Sequence, residues 1–420
     1  MEKEPKRRGK NSPAYVVRPP TAVLTRGYDP QLSLGSARPA VFRSSTYVFS
    51  SPESAERAFL IALGKVTPGN TENVDLIYSR LSHPNAEIVE DQVVPLEPGA
   101  QTAAVFNSGM AAISTIFLTY CGPGESFVYT TPVYGGTHHL IHHLLTGLDL
   151  VGIPVPAGET ESLGKAVAMA KNLRMIFVET PANPTLRMSD IRAAAQAAAA
   201  HPDRPLVVVD NTFLGPTFQH PLKLGADLVV YSATKFLMGF SDALGGVVLS
   251  HDKALISGLQ GTRAILGNIL QPDECWILDT RLPTVTLRMN RQSKNAERIV
   301  KGLTGHPGVA RLYYPTLFED SEQKRIRDAQ CAYPGSIFAM DVRGGKEAAF
   351  RFLRQVRIAR GAVSLGGMET LACHPRSTTH SEMEPEDLDA AGIGEGLVRV
   401  SIGIEHWQDL LDDFRQALEP

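Results

Sequence analysis

The stretch Ala226-Asp-Leu-Val-Val-Tyr-Ser-Ala-Thr-Lys235-Phe-Leu-Met-Gly-Phe-Ser-Asp242 decides how this chain is read. Its first half, Leu228 to Tyr231, is a short β-branched apolar run of the kind that fills a buried strand. Its second half sets Ser232, Thr234 and Gly239 around Lys235, where a turning chain offers hydroxyls and main-chain N–H groups. A lysine at such a strand end has a packed stem and an amine facing a polar site, the situation in which an enzyme holds an aldehyde. A single lysine after a core strand is more often a surface residue, so Lys235 gains meaning only from its surroundings.

Working outward, the same arrangement recurs. Ala103 to Phe106 is strand-like and precedes Asn107-Ser-Gly109 and a helical pattern from Met110 to Tyr120. Ser126 to Tyr129 precedes Pro132-Val-Tyr-Gly-Gly136, and Arg174 to Val178 precedes Glu179-Thr-Pro-Ala-Asn-Pro184. An alanine-rich helix from Asp190 to Ala200 leads into Pro205-Leu-Val-Val-Val-Asp210. The alternation predicts a mainly parallel sheet with helices on both faces. Ligands of such sheets sit beyond the C-terminal ends of the strands. Ser108, Tyr134, Asn183, Asp210 and Lys235 all fall there.

Before residue 70 the chain is rich in Pro, Ser and Gly and reads as an N-terminal arm, 1–70, that reaches over another part of the molecule or another subunit. The sheet domain is expected over 71–267. After Gly267 the pattern changes: a long helix over 276–304 with a break at Pro283, strands at Ser336–Asp341 and Leu397–Ser401, and helices at Lys346–Val356 and Trp407–Leu418. That predicts a smaller α+β domain over 268–420.

Formal net charge is −3, so no general nucleic-acid surface is expected. The basic N-terminal Lys-Glu-Pro-Lys-Arg-Arg-Gly-Lys is short and reads as a tail. No apolar stretch approaches the roughly 20 residues needed to cross a bilayer, so no membrane role is expected. Cys121, Cys275, Cys331 and Cys373 are scattered, which argues against a disulfide framework or a metal site and fits a reducing cytoplasm.

Pyridoxal phosphate (PLP) is the cofactor these strand ends suit. It needs a lysine, an acid at its ring nitrogen, a stacking partner and a phosphate cup. Asp210 can hold the ring nitrogen protonated. Tyr134 can stack on the ring and serve as acid or base, with Gly135-Gly136 allowing close backbone approach. Gly109 and Met110, opening a helix, suit a phosphate dianion, and Ser232 and Thr234 add hydroxyls. Arg399, inside an apolar strand, calls for an anionic partner.

Eight ordered motifs resemble the Cys/Met-metabolism family of PLP enzymes: Tyr78-Ser-Arg80, Asn107-Ser-Gly-Met-Ala-Ala-Ile, Val133-Tyr-Gly-Gly-Thr, Glu179-Thr-Pro-Ala-Asn-Pro, Val208-Val-Asp-Asn-Thr, Ser232-Ala-Thr-Lys, Val363-Ser-Leu-Gly-Gly-Met-Glu-Thr-Leu and Gly396-Leu-Val-Arg-Val-Ser-Ile-Gly. The resemblance implies PLP fold type I, the aspartate aminotransferase-like α/β architecture. It implies that Lys235 holds the cofactor and then shuttles protons, that Tyr78 and Arg80 reach the phosphate of a neighbouring subunit, and that Asn183 lies near the cofactor's 3-oxygen. Arg399 would clamp a substrate carboxylate, with Ser364 beside it. The assembly implied is a homo-oligomer, a dimer of dimers.

The chemistry implied is γ-elimination or γ-replacement on a Cγ-substituted L-amino acid: a methionine-like thioether, an O-substituted homoserine or a canavanine-like analogue. The alternative is a transferase of the cystathionine γ-synthase or O-acylhomoserine sulfhydrylase type. A non-catalytic PLP-binding regulatory protein is a third reading, disfavoured by the intact Lys235, Asp210, Tyr134 and Arg399. The segment around Ala362-Val-Ser-Leu-Gly looks closest to methionine γ-lyases. Three departures bear on the substrate. Val363 stands where cystathionine γ-synthases and γ-lyases are expected to carry glutamate, Gly136 where methionine γ-lyases usually carry cysteine, and Phe240 where histidine is usual. Leu81-Ser-His-Pro-Asn also departs from the common pattern. His138, His139, His142 and His143 read as helix-surface positions in preference to metal ligands.

Overall fold

The computed structural model describes residues 18–69 and 72–419; the basic N-terminal octet lies outside the described residues. Seven strands form the larger sheet: β1 (Thr102–Phe106), β2 (Ser126–Thr131), β3 (Val151–Pro156), β4 (Leu173–Glu179), β5 (Leu206–Asp210), β6 (Leu228–Ser232) and β7 (Gly246–Ser250). Their order is β1-β7-β6-β5-β4-β2-β3. Only β7 runs against its neighbours β1 and β6; the other pairings are parallel.

Both faces are covered, and the side-chain period of two divides the strands between two cores. Val207, Val209 and Val229 pack with Val89, Leu163 and Ile191 from the helices Pro84–Val93, Thr160–Met169 and Ile191–Ala200. Val208, Val230 and Val248 pack with Ile113, Ile116 and Leu259 from the helices Gly109–Tyr120 and Lys253–Leu266. This double burial explains why the central strands are unbroken apolar runs. Helix Ile191–Ala200 starts where the Asp190 carboxylate accepts from the N–H of Ala193 at 3.0 Å, and alanine's helix propensity carries it on.

A second sheet has five strands: β8 (Val309–Tyr313), β9 (Ile337–Val342), β10 (Arg360–Gly361), β11 (Leu371–Cys373) and β12 (Leu397–Ser401), in the order β10-β11-β12-β9-β8. Helices Val285–Leu303, Gly345–Gln355 and Trp407–Leu418 cover it with Ile299, Phe352 and Phe414. The long helix breaks at Pro283 as expected: Pro272–Arg281 passes through a 3-10 turn, Leu282–Thr284, into Val285–Leu303.

Three features differ from the expectation. Strand β3 carries Gly152, Pro154 and Pro156, residues that weaken a strand signal but are tolerated at the edge position it occupies. Strand β7 follows Lys235 so closely that its short Gly-Val-Val-Leu-Ser run merged with the preceding loop. The arm region contains helices Pro19–Thr25 and Pro52–Ala62. The second begins with a reciprocal cap, in which Ser51 and Ser54 each accept the other's N–H, and has Pro52 in its first turn. The four cysteines are unpaired. Among the described residues no helix is long and apolar enough to cross a membrane.

Candidate active site

Lys235 sits in a turn directly after β6. Its N–H donates to the Ser232 carbonyl at 3.1 Å, and its carbonyl accepts from Gly239 at 2.7 Å. The Nζ donates to Ser364 Oγ at 3.2 Å, across from the second sheet's loop. Among the described residues no carboxylate lies within 4 Å of Nζ. Burial, and secondarily the Arg399 guanidinium, pull this amine down to about 8. Gly366 makes the approach of the two loops possible. Its φ is +76°, and a Cβ there would sit 2.8 Å from Phe236 N and 3.0 Å from the Lys235 carbonyl carbon.

Asp210 ends β5, directly opposite Glu179 at the end of β4. Asp210 Oδ1 accepts from Thr212 N at 3.0 Å and Thr212 Oγ1 at 2.6 Å. The same hydroxyl accepts from Ser232 N at 2.9 Å, so Thr212 ties the end of β5 to that of β6. Burial raises both carboxyl groups, and Asp210 adds to the rise of Glu179. Glu179 Oε2 accepts from the N–H of Tyr134 at 2.7 Å, and Oε1 from that of Asn183 at 3.3 Å. Thr212 and Glu179 were not singled out from sequence; each sits inside a quoted motif, and only the fold shows what it touches.

Ser108 caps helix Gly109–Tyr120 by accepting from Ala111 N at 3.0 Å. The N–H groups of Gly109 and Met110, first in the helix, have no acceptor within it. A Cβ on Gly109 would lie 2.8 Å from Ser232 Cβ and 3.0 Å from its Oγ. Glycine therefore lets the helix start and the β6 end close on one another as two walls of a cup. Thr234 stands beside them with its hydroxyl engaged by Gly245, donating to the carbonyl at 3.2 Å and accepting from the N–H at 3.0 Å. Tyr134 is half-exposed. A Cβ on Gly136 would be 2.7 Å from its Cε1 and 3.1 Å from Met110 Sδ. Tyr78 bridges to Thr46. Arg80 lies over the Tyr78 ring at 5.7 Å and donates to the Ala264 carbonyl. Within one chain neither hydrogen-bonds to the cup.

Arg399 lies mid-strand in β12, 2% exposed. It donates to Asn183 Oδ1 at 3.1 Å, to the Val363 carbonyl at 2.5 Å and to the Ser364 carbonyl at 3.2 Å. All three acceptors are neutral, and among the described residues no carboxylate lies within 4 Å. A buried guanidinium so placed favours an incoming anion. His380 Nε2 meets the Asn183 carbonyl at 3.1 Å, and burial with Arg399 nearby pulls its imidazole down to about 4.

The model of the Cys/Met metabolism PLP-dependent enzymes matches residues 20–419. The chain belongs to this family. It is 37% identical over 388 residues to L-methionine gamma-lyase of Fusobacterium nucleatum subsp. polymorphum, covering 92% of this chain and 94% of that one. It is 34% identical over 380 residues to O-succinylhomoserine sulfhydrylase of Pseudomonas aeruginosa, covering 90% of each. A solved cystathionine gamma synthase from Xanthomonas oryzae pv. oryzae, in complex with cystathionine, superposes with a TM-score of 0.86 at 32% identity, over 96% of this chain and 98% of that one.

As a Cys/Met-metabolism enzyme the chain uses pyridoxal phosphate, and the residues fit that group. The helix start at Gly109, the buried amine of Lys235 and the fixed carboxyl of Asp210 lie at the ends of β1, β6 and β5. Two of the departures noted in the sequence adjoin these residues: Gly136 faces the Tyr134 ring, and the Val363 carbonyl accepts from Arg399. Phe240 is stacked under Arg281 at 4.3 Å, which pairs with Asp242 at 2.5 Å. The histidines form two stacks along a helical segment, His138 on His142 at 4.1 Å and His139 on His143 at 4.4 Å. Among the described residues no group of three or more His, Cys, Asp or Glu could hold a metal.

Proposed function

We propose that this enzyme carries out γ-elimination or γ-replacement on an L-amino acid bearing a leaving group at Cγ. The observation that carries the reading is the sharing of Ser364 by two cationic groups, Lys235 Nζ on its hydroxyl and Arg399 Nη2 on its carbonyl. This arrangement suits an α-amino acid, whose carboxylate would go to Arg399 and whose Cα to Lys235.

When bound, PLP supplies an electron sink for negative charge at Cα. Asp210, held by Thr212, would keep the ring nitrogen's proton, and Gly109, Met110, Ser232 and Thr234 would take the phosphate. Arg399, held by Asn183, would bind the carboxylate with its fork, and Asn183 would also serve the cofactor's 3-oxygen. Lys235, with its lowered basicity, is a neutral amine in a useful fraction near pH 7; it would accept the Cα proton, hand that proton on to the cofactor-bound substrate and, neutral again, accept one from Cβ. Tyr134 would stack on the cofactor ring and give its phenolic proton to the group leaving Cγ. Tyr78 and Arg80 reach the phosphate of a neighbouring subunit, which makes a dimer the active unit, paired again into a tetramer. The four unpaired cysteines support a cytoplasmic setting. The chain divides into an arm to residue 70, a cofactor domain to 267 and a C-terminal domain beyond.

Val363 is half-exposed, and its carbonyl lies on the clamp, so the place of an acid for a distal ammonium is taken by an isopropyl group. The reading therefore places methionine-like thioethers, O-substituted homoserines and canavanine-like analogues ahead of cystathionine. Purified enzyme offered methionine, O-acetyl- and O-succinylhomoserine, canavanine and cystathionine, with and without a thiol, decides it by product mass. Exclusive turnover of cystathionine refutes the use made of Val363. A thioether product formed only when thiol is present assigns the transferase alternative, which the sulfhydrylase relative supports.

A further inference from the structure

Glu179 lies at the same end of the sheet as Lys235 and Asp210 and takes no part in the chemistry above. It is 5% exposed. Its main-chain N–H donates to Thr130 Oγ1 at 3.0 Å, and its two carboxyl oxygens accept from two other loops, Tyr134 N and Asn183 N. Asn183 passes the connection on, its side-chain oxygen accepting from Arg399 at 3.1 Å. One continuous path thus runs from the main chain under the Tyr134 ring, through Glu179 and Asn183, to the buried guanidinium.

We propose that Glu179 is a positioning residue that sets together the seat of the Tyr134 ring and the reach of the Asn183–Arg399 pair toward a substrate carboxylate. The placement is costly enough to need a reason. A carboxyl buried directly opposite Asp210 is disfavoured by desolvation and by its like-charged neighbour, whereas an apolar residue would fill the strand end without that penalty. What an apolar residue cannot do is accept two N–H groups from two different loops, and those N–H groups would be left unpaired. The inference rests on the reading of Arg399 as the carboxylate clamp.

The test uses two amines that undergo no γ-chemistry, glycine and methylamine, titrated into holoenzyme and followed by the visible absorption of the bound cofactor. Glycine carries a carboxylate and methylamine does not, so the ratio of their affinities reads the clamp alone. Glu179→Ala lowers that ratio by about tenfold, equivalent to about 1.4 kcal/mol, and weakens the visible circular dichroism that reports the ring seat. Glu179→Gln, isosteric and keeping one acceptor oxygen, lowers it about threefold and serves alone if the alanine variant does not fold. A purely structural role changes melting temperature and leaves the ratio where it was. An unchanged ratio in folded Glu179→Gln overturns the proposal. An error about the leaving group shows elsewhere, as wild-type enzyme with a normal glycine to methylamine ratio that turns over none of the panel substrates.

Discussion

The amine of Lys235 should titrate far below an ordinary lysine in the cofactor-free enzyme. Two causes act on it: burial, the larger, and the Arg399 guanidinium, the smaller, and together they bring it from 10.5 to about 8. At pH 7 about a tenth of such an amine is neutral, against roughly three in ten thousand for an ordinary lysine, a difference of roughly 300-fold in reactive fraction. Trace labelling with acetic anhydride across pH, with the Lys235 peptide quantified by mass spectrometry against surface lysines, measures this directly. The rate constant at Lys235 should reach half its plateau near pH 8. Arg399→Met, by removing the smaller cause, should raise the midpoint but leave it below 10.5. The same displacement enters stability. In the unfolded chain the amine takes its proton at 10.5 and in the folded enzyme at about 8, so between these values the unfolded state holds more protons and stability rises with pH. Below pH 8 the full penalty, about 3 kcal/mol, is present. Lys235→Met should therefore stabilise the cofactor-free enzyme at neutral pH, with the gain shrinking as pH climbs toward 10.5. A labelling midpoint near 10 would refute the reasoning, because Lys235 would then be solvated and unfit to accept the Cα proton at neutral pH.

Three further outcomes follow from the geometry. Arg399→Lys keeps the charge and loses the fork; at about 1.5–3 kcal/mol for a hydrogen bond to a charged group, KM should rise roughly ten- to hundredfold in steady-state assays, with a smaller change in kcat. Gly109→Ala puts a methyl group against the Cβ and main chain of Ser232, so the dissociation constant for PLP, measured by equilibrium titration of the cofactor-free enzyme, should rise at least about tenfold, or about 1.4 kcal/mol, while the fold persists. Gly136→Ala should push the Tyr134 ring off its present seat, because its Cε1 lies 2.7 Å from the new methyl position; kcat should fall more than binding weakens, and the cofactor's visible circular dichroism should change.

How far the sequence reaches depends on how local each signal is. The unbroken Val-rich runs of β5 and β6 announced strands buried on both faces, and the residues just past their ends announced where a ligand would sit, because a parallel sheet brings all those ends to one side. Helix Ile191–Ala200 and the Pro283 break were equally legible, being matters of propensity and of one missing N–H group. Strand β3 was not, since its prolines are tolerable only at an edge, and edge position is a property of the assembled sheet. The site divides in the same way. Lys235, Asp210 and Tyr134 stand out by residue type and local context, and Arg399 by being charged within an apolar strand.

Thr212 and Glu179 carry no such mark, because what distinguishes them is whom they touch. Thr212 is a threonine in a turn until its hydroxyl is found between Asp210 and Ser232 N. Glu179 is an acid ending a strand until its oxygens are found on Tyr134, 45 residues before it, and on Asn183, which leads to Arg399, 216 residues beyond that asparagine. The contact with Tyr134 forms only once the larger sheet is built and that with Arg399 only once both sheets are, so no local pattern encodes them. The consequence reaches specificity as well as stability. Gly136 faces the Tyr134 ring and the Val363 carbonyl accepts from Arg399, so both adjoin this network, and a substitution at either should act differently in a Glu179→Gln background than in wild type. A double-mutant cycle pairing Glu179→Gln with Gly136→Ala, read by the glycine to methylamine affinity ratio, should show non-additivity of at least about 0.5 kcal/mol; strict additivity would mean that the ring seat and the clamp are set independently.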